Sequence, residues 1–218
     1  LFHGGMRAPE HLTGFQPITA SRTICKESKS GYTRMASDHD IWRIIQDFTS
    51  AAVRCVESGF DGIELHGAHG YLISQFLSKT INKRTDKWGG DINGRSQFLI
   101  EIVNSIKNNV PENFIVGIRL SPEIEELNIS LEDSIKLIRK VKTMGLDFIH
   151  LSCWDIYAPS LQYPKDPKRI AEWITHSIDN LPPIISTGRI WSAEDAQNAI
   201  DQGADLVGVA RAAIPYPD

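Results

Sequence analysis

The stretch "IELHGAHGYLISQF" (63–76) ends an apolar run on two imidazoles and a phenol, those of His66, His69 and Tyr71. A strand that only filled a core would not finish this way, because each of these groups needs a hydrogen-bond partner once buried. Two imidazole N–H groups can converge on one oxygen and stabilise negative charge that develops there. In an extended strand alternate residues face opposite sides, so His66 and His69 would point apart. They meet if the strand stops at His66 and the chain then winds helically, since residues three apart share a helix face. Other readings of the same residues stay open. Glu64 offers a third metal ligand, although the His-Glu-x-x-His context of zinc sites is absent. His69 can be a satisfied core histidine, and Tyr71 a packing aromatic with its hydroxyl bonded.

A second chemical signal lies in "IISTGRIWSAEDAQNAIDQGADLVGVARAAI" (184–214). A strand ends at Thr187, Gly188 and Arg189 turn towards a helix, and the next strand ends at Ala210 and Arg211. Glycine lets a backbone approach a ligand closely, and amides at such turns suit a phosphate. Arg211 can add a charge-assisted contact. The plain alternative is a tight turn at Gly188 and a surface charge at Arg211. Arg119 ends "FIVGIRL" (114–120), where its charge needs a partner if buried.

These residues have to be carried by something, and the pattern says what. Short, β-branched, nearly continuous apolar runs at 61–66, 114–120, 147–152, 183–187 and 205–210 alternate with amphipathic stretches. Leu131, Ile135, Ile138 and Val141 form one helical stripe. Ser130 with Asp133 and Ser192 with Asp195 mark helix starts, Gly145 and Gly203 mark stops, and Ser37 opens a long helix through Val56. Repeated strand–helix order predicts a parallel sheet with right-handed crossovers, in an open doubly wound sheet or a closed (β/α)₈ barrel. No G-x-G-x-x-G opens a helix, which argues against a Rossmann dinucleotide site. Six strands are countable with 1–3 included, where a barrel has eight, and the chain opens on Leu1 as though in mid-strand. It therefore reads as part of a longer protein. The polar groups His66, Arg119, Ser152, Gly188 and Arg211 all fall at carboxyl ends of strands, where both architectures place active sites.

Segments 4–36 and 67–93 read as long loops that wall a pocket, with Asn82, Arg84, Asp86 and Arg95 as a network pinning the second. Trp154 and Tyr157 either line that pocket or pack in a loop. The 218 residues, 41% hydrophobic and 23% charged, suit one globular domain over 1–218. A net charge of -4 gives no reason to expect nucleic acid, and no run is long and apolar enough to span a membrane. Cys25, Cys55 and Cys153 match no metal spacing and fit reduced thiols in a cytoplasmic protein.

The run "DGIELHGAHGYLISQFLSKTINKRTDKWGGDINGR", with "STGRI", "GADLVGVAR", "LFHGG" and "VGIRLSP", resembles the Old Yellow Enzyme family of FMN-dependent ene-reductases over nearly the whole chain. The resemblance implies a (β/α)₈ TIM barrel, present here as an incomplete barrel of about the third to eighth strands. It implies a single FMN-binding domain, NAD(P)H as hydride donor and small α,β-unsaturated carbonyl compounds as substrates. His66 and His69 match the pair that binds the substrate carbonyl oxygen and Tyr71 matches the proton donor. Arg119 matches the flavin-contacting arginine, and Gly188, Arg189, Ala210 and Arg211 match the phosphate cradle. Met6 stands where arginine is common and Ala210 where glycine is usual. A glutamine that grips the flavin would precede Leu1. A reading from a different class is a non-catalytic partial barrel that binds a phosphate ligand or a partner. Its open strand edges would also favour a homo-oligomer.

Overall fold

The structure, a computed structural model, describes residues 1–215. In chain order the elements are α1 (Glu10–Thr13), β1 (Ile18–Thr19), β2 (Arg34–Met35), α2 (Asp38–Glu57), β3 (Gly62–Gly67), α3 (Leu72–Leu77) and α4 (Ile92–Lys107). There follow β4 (Ile115–Leu120), α5 (Leu131–Val141), β5 (Phe148–Ser152), α6 (Ile170–Ser177), β6 (Ile184–Thr187), α7 (Ala193–Asp201) and β7 (Leu206–Val207). Strands β3 to β7 form one parallel sheet in sequence order. Each is joined to the next through a helix, which is the arc of a (β/α)₈ barrel.

The alternation of side chains sorts chemistry from packing. Ile63 and Leu65 of β3, Val116, Ile118 and Leu120 of β4, and Ile149 and Leu151 of β5 are buried in the main core. That core also holds Ile41, Ile45 and Phe48 of α2, Phe98, Ile102 and Ile106 of α4, and Ile138 of α5. Burial of each such side chain contributes about 1.5–3 kcal/mol. The intervening positions, Glu64, His66, Arg119, His150 and Thr187, are only half-buried and lie on the opposite face.

Helix starts follow the serine signals, with one difference. Ser37 with Asp40 and Ser192 with Asp195 form full capping boxes. Ser130 accepts from the Asp133 N–H, but the Asp133 carboxylate turns away to Arg95 and Lys79, at 2.6 and 2.8 Å. A buried guanidinium needed that partner more than the cap did.

Residues 1–3, expected as a strand, run beside β3 through His66 N–H to Leu1 O (2.8 Å), and Leu72 N–H donates to His3 O (3.1 Å). That is too short a run for a ladder. Neither long loop is structureless. Segment 4–36 folds into α1 and the β1–β2 pair, and 67–93 contains α3, whose six residues are all buried. The network expected to pin the second loop does so. Arg84 pairs with Asp86 (2.6 Å) and donates to the Ala20 and Ala36 carbonyls at 3.0 and 2.6 Å. Asn82 donates to the Phe76 and Trp88 carbonyls. Among the described residues no helix is long and apolar enough to cross a membrane.

Candidate active site

Register brings the polar strand ends together. His66 lies opposite Arg119, Arg119 opposite His150, and Ser152 opposite Thr187. The return of His69 to His66 is not helical, contrary to the sequence expectation. Strand β3 runs on through Gly67, and His69 then takes a left-handed backbone with φ 60°, followed by Gly70 at 75°. Two left-handed residues in a row fold the chain back more sharply than a helical turn. A non-glycine residue held there costs about 1–3 kcal/mol, a strain that gathers at functional sites. The two rings meet edge-on, 4.8 Å apart at 89°. Tyr71 precedes the first turn of α3, and its ring centroid is 5.0 Å from that of His66.

His69 is held by two serines, one of them tied to Arg119. Its N–H donates to Ser121 Oγ (3.3 Å), its Nε2 is 2.7 Å from Ser152 Oγ, and Ser152 Oγ accepts from Arg119 Nη2 at 3.0 Å. Burial, then the neighbouring His69 and Arg119, push the His66 imidazole down to about 4. Burial, Arg119 and Arg7 lower His69 as well. Both rings are therefore neutral near pH 7, each with one N–H to donate. Among the described residues, His66 Nδ1 and Arg119 Nε are buried with no hydrogen-bond partner. Leaving such groups unmet costs about 1–3 kcal/mol each, so they point to a partner from outside the chain.

A cavity of about 1420 Å³ opens beside this rim, lined by His69, Tyr71, Ser121, Ser152, Cys153 and Trp154 among others. Arg7 reaches into it, its guanidinium 5.9 Å from the Tyr71 ring centre. Trp154 lines the cavity, while the Tyr157 hydroxyl donates to Asp195 instead (2.6 Å). Burial pushes the Cys153 thiol up to about 12, which disfavours its thiolate.

Gly188, Arg189, Ala210 and Arg211 do come together. With Thr187, Trp191 and Gly208 they line a hollow of about 60 Å³. Gly188 has φ 152°, and a Cβ there would lie 2.6 Å from the Cys153 carbonyl oxygen. Arg189 offers only its backbone to the hollow, because its guanidinium is paired with Asp155 at 2.8 Å. The Trp191 and Ser192 amides at the start of α7 are already taken by Asp195. Arg211 lies over the Trp191 ring, 5.5 Å from its centre.

Sequence reasoning passed over Arg7, Ser121, and the pairing of Glu64 with His150 (2.6 Å). Alternation along β3 and β5 was the available signal, since it sets Glu64 and His150 on the same face as His66 and Ser152.

A model of the NADH:flavin oxidoreductase / NADH oxidase family matches residues 1–218. A probable NADH-dependent flavin oxidoreductase, YqiG of Bacillus subtilis (strain 168), is 32% identical over 223 residues, covering 100% of this chain and 60% of its own. Morphinone reductase in complex with tetrahydroNAD superposes with a TM-score of 0.81 at 26% identity, over 99% of this chain and 62% of its own. The old yellow enzyme homologue from Zymomonas mobilis gives a TM-score of 0.83 at 24% identity, over 99% of this chain and 63% of its own, a likeness of fold. The chain thus spans about three-fifths of the length of these relatives.

Proposed function

The chain belongs to the NADH:flavin oxidoreductase / NADH oxidase family, and from that premise we propose that the full protein is an FMN-dependent oxidoreductase reducing the activated C=C bond of α,β-unsaturated carbonyl compounds with NAD(P)H. The observation that carries this reading is the neutral, edge-on His66–His69 pair beside Tyr71 and a cavity of about 1420 Å³, with the Gly188–Arg211 hollow following β6 and β7 of the same parallel sheet.

The residues present fit FMN. Arg119 Nε and His66 Nδ1 have polar capacity to spare. Gly188 lets its turn pack against the Cys153 and Asp155 backbone while lining the hollow, and Arg211 suits a phosphate. Bound there, FMN would accept a hydride from the nicotinamide and pass it to the substrate's β-carbon. Arg119 would sit at the ring edge that gains negative charge. His66 and His69 would hold the substrate carbonyl and offset the charge that builds on its oxygen, as preorganised donors do. Ser152 already accepts from Arg119, so its own proton is available to His69 Nε2, leaving the His69 N–H on Nδ1. Tyr71 would deliver a proton to the α-carbon.

In the full-length protein, replacing both His66 and His69 with alanine should weaken phenolic ligands by about tenfold to a hundredfold, the worth of one or two charge-assisted hydrogen bonds. Titration of the flavin absorbance reads this directly. Unchanged affinity together with unchanged alkene reduction would remove the proposed role.

A further inference from the structure

Below the rim, three lumen-facing side chains from three strands join into one chain. Glu64 Oε2 of β3 is 2.6 Å from His150 Nδ1 of β5, and His150 Nε2 is hydrogen-bonded to Thr187 Oγ1 of β6. The first bond spans the intervening strand β4, and register sets His150 beside Arg119. Gly208 leaves room for the second bond, since a Cβ there would collide with the Thr187 hydroxyl. None of the substrate contacts proposed above uses these three groups.

We propose that Glu64, His150 and Thr187 are a proton-accepting relay: His150 Nε2 takes one proton from solvent when reduction places negative charge beside Arg119, and gives it back when that charge leaves. This rests on the FMN reading above.

The bonding fits a group that changes its proton without losing a partner. An ionised carboxylate can only accept, so the His150 hydrogen facing Glu64 is on Nδ1. A hydroxyl can donate to a neutral Nε2 or accept from a protonated one. His66, on the other flank of Arg119, is built the opposite way. Its Nδ1 is unpartnered among the described residues, and burial together with cationic neighbours keeps the ring neutral. One flank of Arg119 thus carries an imidazole that stays a neutral donor, and the other an imidazole backed by a carboxylate.

Charge balance links the relay to reduction. Among the described residues, the charged and titratable groups around this layer are Glu64 and His66 of β3, Arg119 of β4, His69 of the following turn, and the Leu1 amino group beside β3, whose charged form burial disfavours. Burial acts to raise the Glu64 carboxyl, but His150, Arg119 and His66 outweigh it and hold it below the usual range. Glu64 and Arg119 offset each other, so a protonated His150 alone would be an unmatched cation. A hydride brings two electrons and one hydrogen nucleus from the nicotinamide and adds one negative charge beside Arg119. One proton from solvent, forming an N–H bond at His150 Nε2, cancels it. When the hydride moves on to the alkene, that N–H bond breaks and the proton returns to solvent.

Proton uptake on reduction of the full-length, FMN-loaded protein by a nicotinamide hydride donor can be followed with an indicator dye from about pH 5 to about pH 9. The natural protein should take up about one proton per flavin more than His150→Gln over part of that range. Glu64→Gln should move the uptake lower by about 1–3 pH units, the effect of losing a close opposite charge. Imidazole resonances of the natural protein give the same answer without substitution, because the His150 ring must gain a proton on reduction. Equal uptake in the natural protein and His150→Gln, or a His150 ring that gains no proton on reduction, overturns the relay and leaves the proposed function standing. A full-length protein that holds no flavin overturns both.

Discussion

At the histidine rim the groups that can do chemistry are titratable side chains, while the Gly188–Arg211 end sets Gly188, Gly208 and Ala210, whose backbone is little covered, beside Thr187, Trp191 and Arg211. The rim depends on protonation. His66 and His69 are neutral because burial and Arg119 make them so. At the other end the nearby charges are spoken for. Arg189 is paired with Asp155, Asp195 caps α7, and Arg211 is the remaining cation beside the hollow among the described residues, lying over the Trp191 ring. A site that must respond to charge building during a reaction is thus assembled from titratable groups. A site that only anchors a tail needs shape and amides, and those are indifferent to pH.

Substitutions can break this contrast, beginning with the largest effect. Gly188→Val puts a branched side chain where even a Cβ would lie 2.6 Å from the Cys153 carbonyl oxygen. The purified full-length variant should be colourless, and a normal flavin-to-protein ratio would refute the backbone cradle. Tyr71→Phe should leave flavin content and reduction by NAD(P)H intact and slow the alkene step by about 10²–10⁴, as expected when a general acid is lost. Stopped-flow absorbance separates the two half-reactions, and a slowed first half-reaction would contradict the assignment. Arg211→Ala should weaken FMN by about tenfold or more. Arg189→Ala, whose charge Asp155 already occupies, should change it by less than about twofold. Equal losses would mean that the tail is held by side-chain charge after all.

The smallest effect concerns pH. The His66 imidazole sits at about 4 in the folded protein, against an ordinary 6.5. Above pH 6.5 neither state binds the proton. Between 6.5 and 4 the unfolded chain binds it and the folded one does not, so stability falls as the solution is acidified through that window. His66→Gln should lower the slope of stability against pH there by up to about one proton. His69 and His3, lowered chiefly by burial, keep the remainder. Chemical denaturation at several pH values measures the slope, and an unchanged slope would place the His66 ring in solvent.

What the sequence made legible follows from which patterns are local. Strands β3 to β6 announce themselves through continuous apolar runs ending in polar residues, and the run of residue types alone located His66, Arg119, Ser152 and Gly188. Helix α3 was hidden because all six of its residues are buried, which erases the amphipathic period. The β1–β2 pair was hidden because its two-residue strands carry no period at all. The left-handed turn at His69 and Gly70 is marked in the sequence by the glycine alone, since histidine is not the residue usually chosen for it. The Glu64–His150 bond joins residues 86 apart and depends on the strand between them, so only the assembled sheet reveals it.

Arg84 carries a practical consequence for re-engineering the pocket. One guanidinium grips Asp86 in its own loop and the carbonyls of Ala20 and Ala36, which follow β1 and β2 at the same end of the pair. The two segments that flank the opening are thereby fastened to each other before any ligand arrives. Exchanging one of them between homologues to change substrate range would sever the fastening. A graft that moves 18–36 together with 82–88 keeps it whole.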